Sequence, residues 1–346
     1  MSIFIEAVIR AVFVLVFLLV TVILLVWVER KFVSDLQNRV GPDRAGPWGI
    51  LQTLADGAKS LLKESILPTN AQVGLFMAAP IIAMMTALLI FLVIPIGAPV
   101  VINGTEYALA GVDLNIGLLY FLALSSLAVY AITFAGWASG SKYPLLGSVR
   151  ASAQMISYEA AMGLALVPVV LFAGSTSITT IVEQQQGTFF GFLPAWNVVL
   201  VPSLVIFLIA GFAETNRAPF DLVEAEQEIV GGYHTEYSGF QFSMFFLAEY
   251  IAVFNISALT ATLFFGGWAG PVFGPAWIAW VWPIGWFLIK TWAIVLFFIW
   301  VRASLPRMRY DHLMSFGWKT LIPVSLAWII VVAIAIGLRD FGLPWS

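Results

Sequence analysis

Residues 11–31 read AVFVLVFLLVTVILLVWVERK, and this stretch decides the fold. Its apolar part, residues 11–28, contains one polar side chain, Thr21, and runs into Glu29-Arg30-Lys31 without a small-residue cleavage site. About 20 apolar residues cross a bilayer as a helix. The stretch therefore predicts a retained transmembrane helix, not a cleaved signal.

The composition of the whole chain agrees with this prediction. Of its 346 residues, 61% are apolar and only 10% are charged, whereas soluble domains carry about 25% charged residues. We predict an all-α membrane protein, a bundle of about eight transmembrane helices forming a single domain over residues 1–346. The predicted spans are 8–28, 72–96, 115–138, 151–173, 194–213, 240–266, 277–301 and 320–338.

The positions of the basic residues predict the orientation of the bundle. Segments 29–71, 139–150, 214–239 and 302–319 hold 13 of the 16 Lys and Arg residues, and the segments between them hold none outside the spans. Basic residues accumulate on the cytoplasmic side. We therefore expect these four segments inside and both termini on the outer, periplasmic side.

The chain has no cysteine and only two histidines, His234 and His312, both in polar segments. Because iron–sulfur clusters need thiolate ligands, this chain cannot hold one alone. Any redox centre must then belong to a partner.

The first inward segment contains an amphipathic pattern. Residues 49–64 read GILQTLADGAKSLLKE, with apolar residues recurring every three to four positions and polar ones opposite. This pattern predicts a helix at the membrane interface or, equally, a surface helix packed on its own bundle.

The acidic segment 214–239 begins ETNRAPFDLVEAEQE, with five acids and one arginine, Arg217. A solvated acidic loop is one interpretation. The interleaved apolar residues favour a partly buried cluster, whose crowded carboxylates would titrate as a coupled set and hold or release protons. Its acids are Glu214, Asp221, Glu224, Glu226 and Glu228.

Three ionisable residues lie well inside predicted spans: Glu159, Glu249 and Lys290. Counting from the inner ends, all three fall at roughly 13–18 Å depth, so we expect them at one level. Each carboxylate could be neutral and bonded to a neighbouring helix, or part of a shared proton path. Lys290 fits either a partner of one carboxylate or a relay member.

Several segments resemble the quinone-site membrane subunit family of respiratory complex I, whose mitochondrial members are called NADH dehydrogenase subunit 1. They are 28–31, 39–42, 49–59, 213–226, 248–250 and 302–311, and the resemblance covers nearly the whole chain. Ala225 stands where the family more often has glycine.

The resemblance implies a subunit that forms much of a quinone chamber and couples quinone reduction to proton translocation. It implies chamber positions at Glu29, Arg30, Asp56, Lys59, Arg217, Phe220 and Arg302. It implies relay positions at Glu159, Glu214, Asp221, Glu224, Glu226, Glu228 and Glu249, to which the in-span charge adds Lys290.

The resemblance also implies that quinone is the substrate, and that NADH, FMN and iron–sulfur clusters are bound by partner subunits. Expected partners are the hydrophilic quinone-site and iron–sulfur subunits on the cytoplasmic face, small and antiporter-like membrane subunits, and lipids, with no nucleic acid and no metal site. The expected location is the bacterial inner membrane, or the mitochondrial one.

Two other functions fit parts of the pattern. A related subunit anchors membrane-bound hydrogenases and formate hydrogen lyases, which need no quinone chamber. A proton- or cation-coupled secondary transporter would also carry carboxylates in its membrane helices.

Overall fold

The computed structural model describes residues 3–102, 105–189, 193–221, 230–275 and 279–341. Within these ranges the chain is mainly helical. The helices are α1 (Ile3–Leu36), α2 (Leu51–Leu62), α3 (Val73–Phe91), α4 (Gly117–Ala138), α5 (Lys142–Ala173), α6 (Ile178–Gln184), α7 (Val201–Glu214), α8 (Gly239–Phe264), α9 (Val281–Ser304), α10 (Tyr310–Phe316) and α11 (Ile322–Phe341).

Seven helical segments in the described part of the chain are long and apolar enough to cross a membrane. They are α1, α3, α4, α5, α8, α9 and the continuous segment Tyr310–Asp340, in which the π-helical turn Gly317–Leu321 joins α10 to α11. The all-α membrane fold predicted from composition is therefore confirmed. The side of the membrane on which the termini lie stays a prediction.

The fifth predicted span, 194–213, differs from the expectation. Its helix α7 has only 14 residues, about 21 Å, and a short 3-10 turn, Asn197–Val199, precedes it. A bilayer core is about 30 Å thick, so α7 alone is too short to cross it. In the ranges that the structure describes, seven helices of full length and one short apolar helix thus replace the eight expected spans.

Two further differences concern the connections. Helix α5 begins at Lys142, so most of the predicted inward segment 139–150 is helical. Two short antiparallel hairpins were not predicted. Strand β1 (Gly97–Ile102) pairs with β2 (Thr105–Leu109), and β3 (Thr188–Phe189) pairs with β4 (Leu193–Pro194).

The helices pack closely around α5, α7 and α8. The approach of α4 to α5 requires Gly136, because a Cβ there would lie 2.2 Å from the Ser148 hydroxyl oxygen. Fully buried aromatic residues, among them Tyr158, Phe207 and Phe254, fill the centre. Small residues and close backbone contact are typical of helix packing in membranes, where lipid weakens the hydrophobic drive for association.

The amphipathic helix predicted over 49–64 is present as α2. None of its side chains is fully buried. Its Asp56 forms an ion pair with Arg30 at the end of α1, and the Trp27 indole donates a hydrogen bond of 2.9 Å to the Trp48 carbonyl. Helix α2 therefore lies beside the end of α1 that carries Arg30. We call this end of the bundle the inner end.

Candidate functional site

Four charged side chains form a connected chain near the inner end. Arg302 of α9 contacts Glu29 of α1, Glu29 Oε1 lies 3.5 Å from Arg217 Nη1, and Arg217 Nε lies 2.8 Å from Glu249 Oε1 of α8. Glu29 and Arg217 are each only 7% exposed. Two acids alternate with two arginines, so the charges of these four side chains cancel. This balance lowers the cost of burying them in surroundings of low dielectric constant.

Arg217 is the centre of this charge chain. Its guanidinium also lies over the ring of Tyr250, 4.4 Å from the ring centroid, which is close enough for a cation–π contact. The Nε and Nη2 groups are buried without a well-aligned hydrogen bond in the described residues, although Nε is at ion-pair distance from Glu249. Arg217 is therefore held by its ion pairs and by its contact with Tyr250.

The segment that carries Arg217 is held by a buried amide of α5. Gln154 Nε2 donates to the carbonyls of Ala213 (2.9 Å) and Phe220 (3.0 Å), on either side of Arg217. Asn216, directly before Arg217, has φ of 51°, a left-handed conformation that asparagine tolerates better than most residues. Gln154 thus holds the backbone of the short turn that carries Arg217.

Arg217 lies close to two small voids. On the side of Glu249, a cavity of about 80 Å³ lies between α3, α4, α5, α7 and α8, and we call it the inner cavity. On the side of Glu29, Arg217 and Arg302 line a gap of about 10 Å³. Since one water needs roughly 10–15 Å³, the inner cavity can hold several waters and the gap about one.

The inner cavity brings two relay candidates together. Glu214 and Glu249 both line it, in mainly apolar surroundings. Glu214 Oε2 is buried and has no hydrogen-bond partner in the described residues. A buried acceptor of this kind calls for a water or a proton, because leaving it unsatisfied is unfavourable.

Glu159 lies further along the same side of the bundle. It interacts electrostatically with Glu214 and accepts hydrogen bonds from Ser125 (3.2 Å) and Ser126 of α4. Ser126 is exposed, so this contact lies at the side surface of the bundle formed by α4 and α5. Glu249, Glu214 and Glu159 therefore form a series that leads from the charge chain to the side of the bundle.

The remaining chamber candidates divide into two groups. Arg30 and Asp56 form an ion pair of 2.6 Å, and Gln52 donates a hydrogen bond of 3.0 Å to Asp56. Burial alone raises the pKa of Asp56, but the hydrogen bonds from Arg30 and Gln52 leave this pKa below its ordinary value. Lys59 is exposed on α2, the helix that also carries Asp56.

Phe220 is not in that group. It is buried, with its ring 5.4 Å from the ring of Tyr158, inside the bundle. The contacts described for Phe220 are packing contacts, and its place in the chamber stays a prediction.

The acidic segment is described only in part. Asp221 Oδ1 is buried without a hydrogen-bond partner in the described residues, and Asp221 interacts electrostatically with Glu249. Glu224, Glu226 and Glu228 lie outside the described residues, so their predicted relay role stays a prediction.

Lys290 does not share the level of the two in-span carboxylates, contrary to the expectation. Its ammonium donates to the carbonyls of Gly267 (3.0 Å) and Ala269 (2.6 Å), which follow the outer end of α8. Glu249 lies 15 residues before that end, about 22 Å along the helix. A long lysine side chain extends toward the nearer interface, which explains the difference.

Comparison with known proteins identifies the family. Residues 9–333 match the family model described as NADH dehydrogenase. The H subunit of NADH-quinone oxidoreductase from Frankia casuarinae is 51% identical over 327 residues, which cover 94% of this chain and 71% of that protein. The chain belongs to the NADH dehydrogenase family.

Membership of the NADH dehydrogenase family confirms the resemblance predicted from the motifs. The sequence did not reveal that Arg217 contacts both a chamber candidate and a relay candidate. It also did not single out Gln154, although a lone amide inside an apolar helix commonly bonds to a neighbouring segment.

Two further polar side chains within the bundle bond to backbone carbonyls of other segments. Tyr158 donates to the Leu313 carbonyl, and Asn255 donates to the Ala87 carbonyl. In the described part of the chain, no cluster of His, Cys, Asp or Glu could hold a metal ion.

Proposed function

We propose that this chain is the membrane subunit of a proton-pumping NADH:quinone oxidoreductase, where it forms much of the quinone chamber and passes quinone reduction on as protonation changes. The complex would lie in the bacterial inner membrane. Hydrophilic partner subunits would supply NADH oxidation, FMN and iron–sulfur clusters, since this chain has no cysteine. Small and antiporter-like membrane subunits would receive the protonation change.

One observation carries the proposal: Arg217 lies within ion-pair distance of both Glu29 and Glu249. Glu29 belongs to the expected chamber and Glu249 to the expected relay. A single buried guanidinium can therefore respond to charge on one side and change the stability of charge on the other. In surroundings of low dielectric constant, such interactions are strong and poorly screened.

The chemistry of the substrate supplies the charge change. Reduction of a quinone to a quinol takes up two electrons and two protons. The two electrons create negative charge in the chamber before the protons arrive, and Arg302, Arg30 and Lys59 are the expected chamber cations besides Arg217. This charge would attract Arg217 and weaken its ion pair with Glu249. The Glu249 carboxylate would then be less stable as an anion and would take up a proton.

The inner cavity offers the next step. A proton on Glu249 can pass through waters to Glu214, whose Oε2 has no partner in the described residues. Glu159 is within electrostatic reach of Glu214, so it is the next carboxylate to feel a change of charge there. Its contact with Ser126 continues the series toward the α4–α5 surface.

The experiment that tests the proposal replaces the chamber carboxylate. In the assembled complex, Glu29→Gln should lower NADH:quinone reductase activity while NADH:ferricyanide activity, which does not use the chamber, is kept. Glu183→Gln, at an exposed residue of α6, is the matched control and should leave both activities unchanged. Wild-type quinone reduction in the Glu29→Gln complex would contradict the proposed chamber.

A further inference from the structure

Lys290 marks a second site at the opposite end of the bundle from the charge chain. It lines two adjoining voids: an outer cavity of about 850 Å³ and an outer groove of about 350 Å³. We propose that this outer site binds one phospholipid, with the phosphate in the outer cavity near Lys290 and one acyl chain in the outer groove. The proposal is independent of the quinone and proton functions.

The outer groove lies along the sides of α7 and α9. Leu208, at the middle of α7, lines it together with Ile294 and Phe297 of α9. The neighbouring Val205 and Phe297 side chains are exposed, so the groove opens toward the surrounding lipid.

The outer cavity has the residues of a membrane interface. Trp196, Trp268 and Trp286 line it, and tryptophan accumulates at the depth of the lipid headgroups. The cavity therefore lies where a phosphate group belongs, and the groove continues from it into the apolar layer.

The charge of the outer cavity favours an anion. Lys290 is the only charged residue among its described lining residues. The nearby Glu183 is exposed and does not line the cavity. Lys290 forms no ion pair in the described part of the chain. An anionic headgroup at the depth of this ammonium would supply the partner that the described residues lack.

Two hydrogen-bond donors are free for that headgroup. The Lys290 ammonium has three N–H groups and donates two of them to the Gly267 and Ala269 carbonyls. The Trp268 side chain is only 2% exposed, and its indole N–H has no partner in the described residues. The ring of Trp196, 4.6 Å from Lys290 Nζ, holds the lysine in place.

The side chain of Gln185 in the cavity wall does not compete for the phosphate. The side chain of Gln185 donates to the Ile181 and Thr262 carbonyls and accepts from the backbone N–H groups of Asn197 and Gly266. The Trp286 indole donates to the Pro271 carbonyl. Lys290 and the buried Trp268 thus offer donors to the phosphate, and the exposed Gln186 amide lies in the same wall.

The apolar groove decides in favour of a phospholipid over free phosphate. An inorganic ion would use the donors and leave the groove empty. A phospholipid satisfies both parts, since its phosphate accepts hydrogen bonds from the donors and one acyl chain fills the groove.

The test uses the intact complex, purified in mild detergent and supplemented with phosphatidylglycerol or with inorganic phosphate. Cryo-electron microscopy should reveal a phosphate within hydrogen-bonding distance of Lys290 and a chain in the outer groove. Lys290→Gln should abolish this density. Ala293→Phe, which fills the groove and keeps the lysine, should abolish it too. Lys319→Gln, at an exposed lysine of the inner half, is the control and should retain it.

Four results would overturn the proposal: an outer cavity filled by a partner subunit, a cavity filled by water alone, lipid density unchanged in both variants, or inorganic phosphate bound beneath an empty groove. None of these results bears on NADH:quinone activity, so failure here is distinguishable from failure of the proposed function.

Discussion

Arg217 and Glu249 form an ion pair across the junction of α7 and α8, with Nε 2.8 Å from Oε1. The same guanidinium is 3.5 Å from Glu29. Residues that the motifs assign to two separate tasks, quinone binding and proton transfer, therefore share one cation. This sharing is the basis for treating the chamber and the relay as one electrostatic unit.

Removal of Arg217 should impair quinone turnover. Within the described residues, Arg217→Ala leaves Glu29 and Glu249 with Arg302 as their neighbouring cation. Removing one partner of a buried pair costs about 3–5 kcal/mol unless a carboxylate takes up a proton. We expect lower NADH:quinone activity in a complex that still assembles. The measurements are the Michaelis constant and maximal rate for a short-chain quinone, with subunit content determined by gel electrophoresis.

Arg339→Ala is the control for this substitution, because Arg339 forms an exposed pair with Asp340 at the far end of α11. It should keep the wild-type rate. A normal Michaelis constant and rate in Arg217→Ala would exclude Arg217 from the chamber. In a double-mutant cycle, Arg217→Gln with Glu249→Gln should destabilise the complex less than the sum of the two single variants.

Gln154 should act as a positioning residue for Arg217. Gln154→Glu has the same shape, but a carboxylate cannot donate to the Ala213 and Phe220 carbonyls, and each buried group left unsatisfied costs about 1–3 kcal/mol. We expect reduced quinone reductase activity with intact NADH:ferricyanide activity, together with a lower melting temperature of the complex.

Gln72→Glu, at an exposed amide beside α3, is the matched control and should behave as wild type. If Gln154→Glu lowered the melting temperature but left the quinone rate and Michaelis constant unchanged, its role would be structural only.

The sequence predicts the architecture well because hydropathy acts locally. Long apolar stretches such as 72–96 and 240–266 correspond closely to α3 and α8. The amphipathic pattern at 49–64 likewise predicted α2, since both its faces are visible within 16 residues. The prediction of a full-length helix over 194–213 was wrong because apolar composition cannot distinguish the short helix α7 from the turn before it.

The candidate site is less predictable because its contacts join distant positions. Gln154 bonds to a segment about 60 residues further along the chain, and Arg302 contacts Glu29 across 273 residues. Depth counted along a helix also ignores side-chain length. That omission misplaced Lys290, whose ammonium lies beyond the end of α8.

His234 should make stability depend on pH. Burial among Tyr233, Phe242 and Phe246 lowers the pKa of His234 to about 4 from an ordinary value of 6.5. The unfolded chain therefore binds a proton between pH 6.5 and 4 that the folded chain does not. Stability is complete above pH 6.5 and falls as the pH drops toward 4, by at most about 3 kcal/mol.

Thermal denaturation of the purified protein between pH 7.5 and 5 checks this expectation. His234→Phe, which suits the aromatic surroundings, should flatten the pH dependence, and His312→Gln at an exposed position should not. An unchanged pH dependence in His234→Phe would show that another group is responsible.

Glu249 provides the most direct test of the shared electrostatic unit. Quinone reduction and proton translocation should be recorded together in proteoliposomes that contain the complex with Glu249→Gln. The amide of glutamine carries no negative charge to pair with Arg217, and it cannot take up and release a relay proton. We therefore predict that both rates fall together. Wild-type rates of both processes would contradict the account.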